Sequence, residues 1–152
     1  MDKPIGERRA LMTQTLAVAA AALCAGTAEA AAPAASTPAS TYKAVFQVSD
    51  ADPQKWNLTL NNARAALAEL GPGTTIEIVA FGPGIGMLKV DSEVAARLTE
   101  AAGKGVKLAA CQNTMRGQHL EPKDLHPQIT VVPSGVGEII RKQGEGYAYL
   151  RS

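Results

Sequence analysis

The chain has 152 residues, 46% of them hydrophobic in type, enough for one packed domain and too few for two comfortable ones. A formal net charge of +1 supplies no global field toward nucleic acid or anionic lipid. Aromatics at 4% leave little for base-stacking platforms or aromatic ligand cages, so the core must rest on Ala, Val, Leu and Ile.

Residues 1–30 read as a signal peptide. Arg8-Arg9 precede an apolar run from Ala17 to Ala25, and Ala28-Glu29-Ala30 has the small-x-small form of a cleavage site. The run is too short for a permanent membrane helix, so no membrane attachment is expected after cleavage near Ala30. Arg8-Arg9-Ala10-Leu11-Met12 also fits a twin-arginine leader, and an exported, periplasmic location follows. Residues 31–41, rich in Ala, Pro, Ser and Thr, read as a flexible linker, leaving one domain over 42–152. Cys24 departs with the leader, and Cys111 becomes the only cysteine, unable to form an internal disulfide.

In chain order, Tyr42 to Val48 predicts a first strand. Asp50, Asp52 and Pro53 start a helix running to about Leu70, with Trp56, Leu60, Ala63, Leu67 and Leu70 as its buried stripe. Gly71-Pro72-Gly73 ends it. Thr75 to Phe81 predicts a second strand, followed by the tight loop Gly82-Pro83-Gly84-Ile85-Gly86. Asp91 or Ser92 is expected to cap a helix carrying Val94, Leu98 and Ala101. Val106 to Ala110 is a third strand with Cys111 at its end, and Asn113 and Thr114 are candidates to cap a short helix through Met115 to Leu120. Ile129 to Val132 is a fourth strand. Pro133-Ser134-Gly135 turns into a helix with Val136, Ile139 and Ile140 as apolar positions, and Tyr147 to Leu150 is a final strand. Strands alternating with helices predict an α/β fold, a three-layer α/β/α sandwich on a mostly parallel sheet of about five strands.

Ligands and catalytic groups gather at the carboxyl ends of such strands. Cys111 lies on that edge, where backbone N–H groups, a helix start and nearby Arg116 favour the thiolate. The same position suits a small buried hydrophobe. Gln112 and Asn113 offer N–H groups beside the thiol, and Gly82 and Gly84 permit close backbone approach. The Gly82 loop lacks both dinucleotide and P-loop spacing and reads as a plain turn. Asn57 and Asn61, one helical turn apart, either bind a small anion or satisfy neighbouring backbone. Asp50 and Asp52 read as helix-start residues and Trp56 as core. His119 and His126 fall in a Pro-punctuated stretch and read as exposed loop residues rather than as a base for Cys111. No Cys or His pair has metal-ligand spacing, and nothing implies a cofactor. With no full catalytic constellation, enzyme status stays open.

Val-Lys-Leu-Ala-Ala-Cys-Gln-Asn-Thr-Met, Trp-Asn-Leu-Thr-Leu-Asn-Asn-Ala, Val-Ala-Phe-Gly-Pro-Gly-Ile-Gly-Met-Leu and Val-Pro-Ser-Gly-Val-Gly-Glu-Ile-Ile-Arg-Lys-Gln together resemble the DsrE/DsrF-like family, in its exported single-domain branch. The resemblance covers Tyr42 to the end. It implies a five-stranded parallel sheet, a homo-oligomer (trimer or hexamer), and a sulfur carrier whose strand-end cysteine holds a persulfide and passes it on. Cys111 occupies that position, with Gln112, Asn113, Gly82, Gly84 and Asn57 as candidate binding residues, and sulfur donor and acceptor proteins as partners. The alternatives are a non-catalytic small-ligand-binding or interaction module with a structural Cys111, and a thiol oxidation sensor.

Overall fold

A computed structural model describes residues 41–152; the expected leader over 1–30 and nearly all of the expected linker over 31–41 lie outside them. The elements are β1 (Lys43–Val48), α1 (Pro53–Leu70), β2 (Thr75–Ala80), a 3-10 helix over Gly82–Leu88, α2 (Ala95–Gly103), β3 (Lys107–Cys111), α3 (Gln112–Gly117), a short 3-10 turn over Pro122–Asp124, β4 (Ile129–Val132), α4 (Gly135–Gly144) and β5 (Ala148–Arg151). All strand pairs are parallel, in the order β4-β3-β2-β1-β5. This is the expected five-stranded α/β sandwich. Among the described residues no helix is long and apolar enough to cross a membrane.

The order explains how the layers fill. From β1 to β4 the chain moves one strand at a time toward the same edge, and α1, α2 and α3 pack on one face. The return from β4 to β5 reverses direction, and crossovers of one hand then place α4 on the other face. The first face buries Phe46, Val48, Ile76, Ile78, Leu108 and Ala110 against Trp56, Leu60, Leu98 and Met115. The second is thinner: Val45, Val79, Ala109 and Val132 meet Ile139, Tyr147 and Phe81. The two-residue period of each strand sends its alternate apolar residues to these two cores.

Helix starts follow local chemistry where a capping oxygen is available. Asp52 caps α1 by accepting from the Gln54 N–H at 2.8 Å, with Pro53 in the first turn. Ser134 caps α4 by accepting from the Gly137 N–H at 3.2 Å. Asp50 instead pairs with Lys55 and Arg151, both at 3.3 Å or less. Gly84 is fixed by its neighbour, because a Cβ there would sit 2.3 Å from the Val48 carbonyl oxygen.

Several local expectations are corrected. Cys111 is itself the N-cap of α3, so neither Asn113 nor Thr114 caps it. The strand continues through Cys111 and the helix starts at Gln112 with no intervening residue. α3 stops at Gly117, where Gln118 and then His119 at φ 54° turn the chain away. α2 begins at Ala95 after Val94, with Ser92 accepting only a long bond from the Val94 N–H at 3.4 Å. Val136 and Ile140 are 54% and 64% exposed, because α4 turns Gly135, Glu138 and Ile139 toward the sheet instead. Leu70 also leaves the buried stripe at the frayed end of α1. His126 is buried rather than exposed: its Nδ1 accepts from the Gln128 N–H, so Nε2 carries the proton and donates to Thr99 Oγ1 at 2.9 Å.

A buried ion cluster holds the far end of α4. Lys142 Nζ lies 3.4 Å from Glu77 and 3.6 Å from Glu138, and stands over the Tyr147 ring at 5.2 Å. Burial pulls the Lys142 ammonium down, but the carboxylates of Glu77 and Glu145 outweigh it and raise the group above the ordinary lysine value of 10.5. Burial also raises the Glu77 carboxyl, which Lys142 only partly offsets. The stability that Lys142 contributes is therefore fully present below the ordinary lysine value and is lost as pH rises through its elevated folded value. Lys142→Met should cost about 2–3 kcal/mol at neutral pH, a buried-pair loss reduced for its partly solvated rim, and should flatten the alkaline limb of stability. Urea unfolding as a function of pH measures both.

Candidate functional site

Cys111 closes β3 with its side chain on the thin face, in the row that continues into Phe81 beyond β2. Its position brings it between the first turns of α3 and α4. Burial pushes the Cys111 thiol up. Against that, the Thr114 hydroxyl and the backbone N–H groups of Thr114, Gly135 and Asn113 lie around the sulfur and favour its anion. The donors win, and the thiol is held below the ordinary cysteine value of 9.0.

The hydroxyl of Thr114 is committed on both sides. It accepts from the Gly82 N–H at 2.9 Å, which leaves its single proton for the sulfur. Gln118 Nε2 donates to the Gly82 carbonyl at 3.0 Å, so α3 grips both ends of the glycine that opens the loop after β2. Gly82 has φ 53°, a conformation that favours glycine. Gly135 is fixed by a different constraint: a Cβ there would lie 2.7 Å from Cδ1 and 2.9 Å from Cβ of Phe81. Only a glycine lets the start of α4 come this close to Phe81.

The residues expected at the site divide. Asn113 lies beside the thiol with its backbone N–H favouring the anion, and Gly82 bonds Thr114 next to it. Gln112 is the first residue of α3 and is exposed beside the thiol. Gly84 approaches the end of β1. Asn57 is occupied elsewhere: its Nδ2 donates to the Pro53 carbonyl, and its Oδ1 and carbonyl accept from Arg97, whose guanidinium also reaches Asn61 at 2.7 Å. Asn57 and Asn61 thus clamp α1 to α2. Arg116 does not serve the thiol; it pairs with the side chain of Asn113.

Thr114 and Gly135 adjoin the thiol although neither stood among the expected binding residues. Thr114 stands three residues after Cys111, the spacing at which a first-turn side chain reaches back to an N-cap. Gly135 carries no such signal, since its place is set by the return of α4 across the sheet. The thiol is only 4% exposed, and among the described residues no cluster of His, Cys, Asp and Glu could hold a metal. What this arrangement can do is stabilise a sulfur anion with neutral donors, without a base or a cation.

These features define a parallel α/β sandwich with one donor-stabilised thiol at the carboxyl edge of its sheet. The chain belongs to the DsrE/DsrF-like family, whose model matches residues 42–151. It is similar to the solved structure of a protein of unknown function, MTH1491, from Methanobacterium thermoautotrophicum. Identity is 39%, coverage is 73% of this chain and 99% of that one, and the TM-score is 0.71. A conserved protein of unknown function, BT1422, from Bacteroides thetaiotaomicron shares the fold at 16% identity, with 76% and 99% coverage and a TM-score of 0.62. Comparison with curated proteins finds no match.

Two substitutions test the cradle. Thr114→Val removes one donor to the sulfur and the acceptor for the Gly82 N–H, so the pH midpoint of Cys111 alkylation should move upward while the fold persists. Gly135→Ala should destabilise the protein by about 1–3 kcal/mol through overpacking against Phe81 and move the same midpoint upward. Iodoacetamide rates against pH and urea titrations provide the two readouts.

Proposed function

We propose that this protein is a sulfur carrier of the exported, periplasmic kind, accepting sulfane sulfur as a persulfide on Cys111 and handing it on. The observation that carries the reading is the place of Cys111, a free thiol where β3 meets the first turn of α3 at the carboxyl edge of the sheet, with neutral donors around it that favour its anion. A purely structural thiol has no need of them, because a neutral buried sulfhydryl is a weak acceptor. Membership of the DsrE/DsrF-like family supports sulfur-relay chemistry.

The transfer is a pair of displacements with no net oxidation. The Cys111 thiolate attacks the outer sulfur of a donor persulfide. The Cys–S bond to sulfur forms as the donor S–S bond breaks, and the donor leaves as thiolate. An acceptor thiolate then attacks the outer sulfur of the Cys111 persulfide, and Cys111 leaves as thiolate into the same donor cradle. The cradle stabilises the anion that must form at Cys111 before loading and again on release. The donors are backbone and hydroxyl groups, so they favour a charged sulfur as fixed neutral dipoles.

The functional unit in this proposal is a homo-oligomer, a trimer or hexamer, that meets separate sulfur donor and acceptor proteins. Val136 and Ile140 on the outer side of α4, with Tyr149 and Leu150 on β5, supply exposed apolar surface for such contacts.

Intact mass spectrometry of the non-reduced protein after brief polysulfide exposure tests the reading. A gain of one or more sulfur masses, removed by reductant and absent in Cys111→Ser, is expected. A thiol that stays unmodified until the protein is unfolded would sink the proposal, and gain of oxygen in place of sulfur would favour an oxidation sensor.

A further inference from the structure

The loop after β2 is held by α3 at one residue, and the hold reaches the thiol. Thr114 lies in α3 and Gln118 ends it, four residues on. The Gln118 N–H donates to the Thr114 carbonyl at 2.9 Å, so the two side chains leave the same face of the helix one turn apart. Both close on Gly82. Its N–H donates to Thr114 Oγ1 at 2.9 Å, and its carbonyl accepts from Gln118 Nε2 at 3.0 Å. Two side chains of one helix thus grip both peptide groups that flank a single glycine.

Gly82 needs such a grip. At φ 53° it sits where glycine is at no disadvantage, but glycine populates other backbone regions as readily, so the residue itself does not hold the peptide in this orientation. The Gly82 carbonyl belongs to the amide with Pro83, which has no N–H, so the oxygen is the one polar atom by which that amide can be held. Phe81 on the other side is anchored without α3. Its N–H donates to the Val48 carbonyl at 3.1 Å, and its carbonyl accepts from the Gly84 N–H at 3.1 Å. Releasing Gln118 therefore frees the orientation of Gly82 and leaves Phe81 in its contact with Gly135.

We propose that Gln118 is a positioning residue for Cys111, acting through Gly82 and Thr114. By fixing the Gly82 carbonyl it keeps the Gly82 N–H on the oxygen of Thr114, and a hydroxyl that accepts there has its single proton left for the sulfur. With that N–H turned away, the hydroxyl is free to rotate and to donate to a backbone carbonyl one turn back, as helical threonine commonly does. The sulfur then loses a fixed dipole that favours its anion. Gln118 takes no part in the chemistry itself. The inference rests on the sulfur-carrier reading only for its purpose, since the thiolate is the form that accepts and releases sulfur.

Gln118→Met removes the donor, keeps the length of the side chain and changes no charge, at an exposed position where the fold tolerates it. The pH midpoint of Cys111 alkylation should rise by about half a pH unit, which slows alkylation below the midpoint about threefold. The Gly82 amide should shift in the NMR spectrum of the same variant. Thr114→Val and the double variant identify the route. Because Gln118 acts through Thr114, the double variant should have the midpoint of Thr114→Val alone. An unmoved midpoint in Gln118→Met would overturn the assignment, as would shifts that add in the double variant. Polysulfide loading of the same samples keeps the two readings apart. A wild-type protein that takes up no sulfur sinks the carrier and leaves the midpoint result standing, whereas an unmoved midpoint sinks the role of Gln118 whatever the loading shows.

Discussion

The approach of Gly135 to Phe81 is the contact on which the chemistry of this domain depends. It fixes where α4 begins, and among the described residues α4 is the only helix on its face of the sheet. With a Cβ at 135 the ring and the helix start could not occupy their present places. The same closeness brings the Gly135 N–H to the side of Cys111, where it favours the sulfur anion. At its far end α4 is held by Lys142 between Glu77 and Glu138, and midway by Ile139. A short helix with two exposed apolar residues is thus pinned at three points, and the first of these is also the thiol site.

The groups that lower the Cys111 thiol below its ordinary value are neutral ones. Arg116, the cation nearest in sequence, is taken by Asn113, and neither histidine reaches the site as a partner of the sulfur: His126 is tied to Thr99 and Gln128. The neutral donors around the sulfur outweigh its desolvation, since fixed dipoles in a poorly solvated site act strongly. Thr114 extends the network to the loop after β2, so the cradle draws on three segments, those that follow β2, β3 and β4.

The fold was legible because its signals are local and repeated. Apolar runs bounded by Gly and Pro gave strands, Asp52-Pro53 and Ser134 gave helix starts, and alternation of the two gave a parallel sandwich. The misreadings arose where two elements compete for one surface. Val136 and Ile140 look like a buried stripe in isolation, yet the helix presents Glu138 and Lys142 inward, toward Glu77 on β2. Asn57 looked free to bind a ligand until α2 brought Arg97 against it. His126 looked exposed beside a proline, but Leu88 and Thr99 close over its segment: its N–H donates to the Leu88 carbonyl at 2.8 Å.

By itself the sequence determined the alternation of strands and helices, the place of Cys111 at a strand end and the family to which the chain belongs, since each rests on residues close together in the chain. Tertiary structure alone decided which donors meet the sulfur. Gly82, Thr114 and Gly135 come from segments separated by up to about 50 residues, and they converge only because β2, β3 and β4 end side by side in one parallel sheet. The charge state of a thiol depends on that convergence, through the balance between burial and the fixed dipoles around it, and no periodicity in the chain records such a balance.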